Sequence, residues 1–339
     1  MNSSASALPA IDWAGAASWA ARLVPAGPTP PQPQPAELVA DLRAAAVRAR
    51  DLALVASGLE SVLPAGSPPA QVLVVDRAGW ARAAAASFAG LASGIEQRAV
   101  PGTAMQAGTV LALLSTRVLG QFDPFGSSVS GGRLLLVAPN VLRSERAMGV
   151  RPDDFRLWVA AHEQTHALQF AAAPWLAGHI RSEATALLGE LAASSAAEEL
   201  ATALRKLARG VWDRDGRWSL LDVLPPATRE RTERLTAIMS LLEGHADVTM
   251  DAVGRLVIPS ARVLRSRMEA RRRSTKLPDV LLRKLLGLDA KLAQYRDGAA
   301  FVRDVGGPEA LRAVWSGPEA LPTAREISDP RAWLRRVKG

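Results

Sequence analysis

Apolar positions along the chain fall mainly into helical runs. Residues 11–23 (IDWAGAASWAARL) form a first short helical pattern. Residues 24–35 follow with six prolines, too many for any helix. A long Ala/Leu-rich stretch at 36–62 predicts a second helix, ended by Pro64, Gly66, Pro68 and Pro69. Helical composition returns at 80–95 and in part of 103–118. Two short runs differ. QVLVVD (71–76) and RLLLVAP (133–139) are compact apolar runs of the length of buried strands. Between them, QFDPFGSSVSGG (121–132) reads as a loop.

The strongest helix signal starts at Pro152. Proline suits the first helical position, and Asp153 and Asp154 complement the positive end of the dipole. This helix is expected to reach Ala172. Further helices are predicted at 180–209, 228–253 and 276–304, with Gly210 and Gly254 as caps. The last 35 residues read as irregular with a short terminal helix. The expected class is mainly α with a small β-sheet (α+β). A helical segment with a proline-rich loop at 1–70 would pack on a main domain at 71–339.

Composition narrows the chemistry. The 339 residues include no cysteine, four histidines and one tyrosine. Thiol nucleophiles and cysteine-ligated metals are thereby excluded, so a transition metal must use nitrogen and oxygen ligands. All four histidines (162, 166, 179 and 245) fall within 84 residues. No run reaches the roughly 18 uninterrupted apolar residues of a membrane span, and the N-terminal residues lack the basic start of a signal peptide. A cytoplasmic protein without membrane contact is the default expectation. The net charge of +8 is concentrated. Residues 261–284 carry nine Lys/Arg against two acids, and four more basic residues lie in 331–339. A solvated helix face explains such a patch, and an acidic partner or nucleic acid is the alternative. The patch has no aromatics for base stacking, which argues against nucleic acid.

Residues 162–166 read HEQTH. On a helix, residues four apart share a face, with Cβ atoms about 5–6 Å apart. Two imidazoles so placed can converge on one ion, while Glu163, rotated about 100°, can reach a water beside it. Zinc with a carboxylate base is the hydrolytic unit of a metalloprotease. A zinc site of this kind needs a third protein ligand and an open position. LLEGHADVTMD (241–251) offers Glu243 and Asp247, four apart on one face. Glu243 is the expected third ligand and Asp247 an outer acceptor for a histidine N–H. His245 lies about 200° from Glu243 and cannot easily join it, although His245 or Asp247 as ligand is the alternative. His179 reads as structural. The compact HExxHxxGxxH pattern is excluded, since Gln169 and Ala172 occupy its glycine and histidine positions. RLLLVAP could serve as an edge strand for an extended peptide, or as a core strand. Tyr295 is a possible oxyanion stabiliser, as is His245, or else a core tyrosine with a satisfied hydroxyl.

HEQTHALQF followed by LLEGHADVTMDAVG resembles the zincin-like metallopeptidases of the second, uncharacterised type. Many of these carry a label of association with deazaflavin-coenzyme biosynthesis in actinobacteria, which implies gene association and not a reaction. The resemblance extends to IDWAGAASWAARLVPAGP, VLVVDRAGWARA, VLGQFDPF, LLGLDAKLAQYRDGAAFV and LPTAREISDPRAWLRRV. It implies a zincin-like domain with His162 and His166 as zinc ligands, Glu163 as base and the third ligand from the EGHAD segment. Glu243-x-x-x-Asp247 is also similar to the third-ligand helix of the thermolysin-like clan, although 77 residues separate it from His166. The expected function is a zinc-dependent hydrolase acting on a peptide or protein. The alternative is a zinc-stabilised, non-catalytic binding module that uses the basic 261–284 segment.

Overall fold

A computed structural model describes residues 8–28, 34–93, 97–99, 102–126, 129–193, 226–272 and 297–338. The architecture is mostly helical around a small sheet. That sheet has the order β2–β5–β4. β5 (Arg133–Val137) pairs in parallel with β2 (Gln71–Val75) and antiparallel with β4 (Gly120–Asp123). Leu134, Leu135, Leu136 and Val137 are all buried, as a strand covered on both faces requires, and this explains their unbroken apolar run. RLLLVAP is therefore the central strand. Both of its edges are taken, so it is not the edge strand for a peptide. β4 holds that edge, and its last three residues fall in the stretch read as a loop. Its sequence, GQFD, has neither an apolar run nor clear alternation. Asp123 ends it: the carboxylate accepts from the Phe125 and Gly126 N–H groups at 3.0 Å and pairs with Arg133 at 2.5 Å. A separate two-stranded parallel pair joins β1 (Leu8–Ala10) and β3 (Gln97–Ala99).

α1 (Trp13–Leu23), α3 (Arg77–Leu91) and α4 (Thr103–Ser115) bury small apolar faces, chiefly alanines, against Leu135 and Val137 of the sheet. α5 (Ala138–Met148) follows β5 directly, with Pro139 in its first turn. α6 (Pro152–Ala172) starts at the proline and reaches Ala172, as its sequence predicts. Asp154 accepts from the Ser260 N–H and hydroxyl, tying the start of α6 to a distant turn. α2 (Gln34–Ser57) lies along α6 and presents Leu38, Leu42, Ala46 and Ala49 at helical spacing to one apolar cluster with Phe155 and Trp158. α2 thus shares one apolar cluster with α6.

α7 (Trp175–Ala193) is joined to α8 (Pro226–Val257) by ion pairs of Arg231 and Arg234 with Glu183 and Glu190. α8 keeps its course through Gly244, a residue that normally weakens a helix interior by about 0.5–1 kcal/mol. The reason is a backbone crossing: a Cβ on Gly244 would strike the backbone of Gly298, and one on Gly298 would strike that of Ser240. Gly298 lies in the helical residues 297–304. α9 (Ala261–Arg272) then turns back beside α8. The last residues are more regular than expected. They include 3₁₀ turns at Pro308–Trp315 and Pro318–Ala320 and helices α10 (Ala324–Ser328) and α11 (Pro330–Lys338). Trp315, Ile327 and Trp333 there complete a second cluster with Leu241 and Leu242 of α8.

Among the described residues, no helix is long and apolar enough to cross a membrane. Tyr295 and residues 273–284 of the basic segment lie outside the described residues. Within the described part, Arg265 pairs with Asp251 and Glu269, and Arg267 donates to the Met148 and Gly149 carbonyls. Two of the patch's cations are therefore committed internally.

Candidate metal centre

The helix that starts at Pro152 places His162 and His166 one turn apart, with Nε2 atoms 3.2 Å apart and rings edge to face. α8 crosses this face and brings Glu243 in. One carboxylate oxygen is 3.4 Å from His162 Nε2 and the other 3.7 Å from His166 Nε2. The three donor atoms lie within 4.8 Å of one another. Two imidazoles and one carboxylate converging this closely suit zinc and its relatives, whose ligand bonds are about 2.0–2.2 Å long. The outer nitrogens are already engaged. His162 Nδ1 is 3.0 Å from Met250 Sδ, and His166 Nδ1 is 2.9 Å from Gln169 Oε1. Both Nε2 atoms are thereby turned toward Glu243.

Electrostatics follow from this crowding. Burial disfavours the charged form of His162, but the hydrogen bond and charge of Glu243, with Glu163 and Asp247, outweigh it and push its pKa to about 9. A metal binding there must displace that proton. Burial dominates at His166 and lowers its pKa despite Glu243. Glu163 is raised to about 7, first by burial, with Glu243 adding to it, while His162 and a backbone N–H from Phe122 pull the other way.

Glu163 itself is nearly fully buried at 6% exposure, and its side chain runs across Gly120. A Cβ on residue 120 would stand 2.6 Å from Glu163 Cγ and 2.8 Å from Oε1. The first residue of the edge strand thus leaves the space that the glutamate occupies. A cavity of about 200 Å³ opens beside it, walled by Leu119, Trp158, Val159, Met250 and Met268, with Asp247, Arg265 and Glu269 on its polar side.

His245 does not reach this cavity. It is fully buried behind the histidine pair, where Nδ1 is 2.9 Å from Gln169 Nε2 and Nε2 is 2.9 Å from the Ser57 carbonyl. With both nitrogens engaged and Trp315 packed on its ring, it is not in the donor group. Burial lowers its pKa to about 4, against the pull of the Ser57 carbonyl. Asp247 lies 3.8 Å from Arg265, and its charge raises both imidazole pKa values. The outer-acceptor role expected of it is filled at His166 Nδ1 by Gln169. His179 packs against Trp175 and is not in the donor group.

Gln169 and Gly120 were not among the expected site residues. Gln169 carries a weak signal. It is three residues beyond His166, on the same helix face, and it is a polar residue within an otherwise apolar run that the fold buries completely. Gly120 carries none, since only the three-dimensional approach of Glu163 explains it.

The family model of the zincin-like metallopeptidases matches residues 11–334, nearly the whole chain. Among solved structures, a proposed hydrolase with a novel fold from Chloroflexus aurantiacus is 29% identical, with a TM-score of 0.67 over 97% of this chain and 99% of that one. No curated protein matches the chain.

Proposed function

The chain belongs to the zincin-like metallopeptidases, and on that premise we propose that it is a zinc-dependent hydrolase acting on peptides or proteins. His162 and His166 through Nε2, and Glu243 through its carboxylate, would hold the ion. Zinc on such a donor set lowers the pKa of a water to about 7 and polarises a carbonyl. Glu163 takes the proton of the attacking water on its carboxylate and delivers it to the nitrogen of the departing amine. The apolar walls of the adjoining cavity suit an aliphatic or aromatic substrate side chain. The edge strand β4 suits an extended substrate backbone.

The observation that carries this reading is the seat of Glu163. A buried carboxylate, outside the three-donor group, lies beside those donors and faces a cavity. A site that only stabilised the fold has no use for it. The test incubates zinc-loaded full-length protein with a mixed peptide library and reads cleavage by mass spectrometry. Cleavage is expected with zinc, is lost on chelation and returns on zinc addition. Glu163→Gln is expected to bind zinc in full and to lose about 10²–10⁴-fold in turnover. A zinc-loaded protein that cuts no peptide, or a fully active Glu163→Gln, would overturn it.

A further inference from the structure

The hydrogen-bond chain behind the metal centre has only one consistent proton arrangement. It is anchored at two backbone carbonyls, which can only accept. Gln169 Nε2 lies 2.9 Å from the Leu242 carbonyl, so the amide nitrogen must face it and donate. That orientation aims Gln169 Oε1 at His166 Nδ1, 2.9 Å away, and requires a proton on Nδ1. The same amide nitrogen lies 2.9 Å from His245 Nδ1, which must therefore accept. His245 then carries its proton on Nε2 and donates it to the Ser57 carbonyl at 2.9 Å. Flipping the Gln169 amide would set its oxygen against the Leu242 carbonyl, and a proton on His245 Nδ1 would face an N–H. Gln169, His245 and Ser57 are fully buried, so water cannot substitute for a lost partner. The chain crosses three helices: Ser57 ends α2, Gln169 is on α6 and His245 on α8.

We propose that Gln169 and His245 are positioning residues that lock His166 in the Nδ1–H tautomer and aim its Nε2 lone pair at the metal. The inference rests on the reading of His166 as a zinc ligand. It also gives His245 a place in the EGHAD segment. Glu243 and His245 project about 200° apart, so Glu243 meets the donor face while His245 meets the back of the same site through Gln169.

The four histidines make the test tractable. In metal-free, ¹⁵N-histidine-labelled full-length protein, long-range ¹H–¹⁵N correlation is expected to show His166 as the Nδ1–H tautomer and His245 as the neutral Nε2–H tautomer. Gln169→Leu is expected to weaken zinc binding about 10–100-fold in competition with a chromophoric chelator, and to abolish the tautomer preference of His166. His245→Leu is expected to weaken zinc in the same direction. His245→Gln, which can still accept from Gln169 and donate to Ser57, is expected to recover most of it. Unchanged zinc affinity in folded Gln169→Leu, or the Nε2–H tautomer at His166 in the unsubstituted protein, would overturn the proposal. The second readout holds even if the variants fail to fold. Unsubstituted protein that shows the expected tautomers but binds no zinc overturns the metal reading, and the positioning role with it. Zinc bound alongside reversed tautomers overturns the positioning role alone.

Discussion

Glu163 occupies the space that a side chain on Gly120 would need, with its Cγ 2.6 Å from the position of a residue-120 Cβ. The strand edge and the HExxH helix are therefore fitted to each other at one atom. Gly120→Ala should push the carboxylate aside while leaving His162, His166 and Glu243 in place. A misplacement of about 1 Å can cost about 10²-fold in rate. The expected result is full zinc binding with kcat/KM lowered by roughly that factor. Equal activity in Gly120→Ala would mean that Glu163 can act from another rotamer.

Glu243 contributes the only carboxylate of the donor group among the described residues. Glu243→Ala should cost more zinc affinity than the roughly 10–100-fold an outer partner is worth. Bound metal, measured by elemental analysis after gel filtration, should fall well below one equivalent. Full stoichiometry in this variant would move the third ligand elsewhere.

The crossing of Gly244 and Gly298 sets the distance of α8 from its neighbour one residue away from Glu243. Both obstacles to a Cβ on Gly298 are backbone atoms of Ser240, which cannot rotate away. Gly298→Ala should therefore separate the helices, at a cost of ~1–3 kcal/mol typical of overpacking. A lowered melting temperature should accompany weaker zinc binding, because Glu243 travels with the same turn. Unaltered melting would show that the crossing is loose.

Much of this was legible in the sequence because it depends on local periodicity. HEQTH within a helix, the i, i+4 pair Glu243 and Asp247, and the start of α6 at Pro152 are all consequences of helical geometry. The failures share another cause. β4 is hidden because its pairing with β5, not its own residues, makes it a strand, and the same pairing decides between the two readings of β5 in favour of the core strand. The residues that His245 meets on its side of the helix are 76 and 188 positions away. No spacing rule reaches that far. Asp247 shares a helix face with Glu243, yet Gln169 lies at the Nδ1 of His166.

The C-terminal helices hold α8 through a pH-sensitive clamp. Glu326 accepts from the Thr323 N–H in a capping box and from Arg336 at 2.7 and 2.9 Å. The Arg336 hydrogen bonds, opposed by burial and helped by Thr323, hold its pKa below the ordinary 4.5. A carboxylate depressed on folding stabilises fully above its unfolded pKa, and that stabilisation is lost as pH falls through the folded value. Glu326→Gln should cost about 1 kcal/mol near neutrality. Charged partners would suggest more, but Arg336 is 40% exposed and solvent screens the pair. The difference between the two proteins, read from urea midpoints, should begin to shrink as pH drops below about 4.5 and should approach zero in stronger acid. Because Ile327 and Trp333 pack with Leu241 and Leu242 beside Glu243, the loss should also appear as weaker zinc retention near neutral pH. A pH-independent difference between the two proteins would mean that the capping geometry, and not the charge on Glu326, holds this end of the fold.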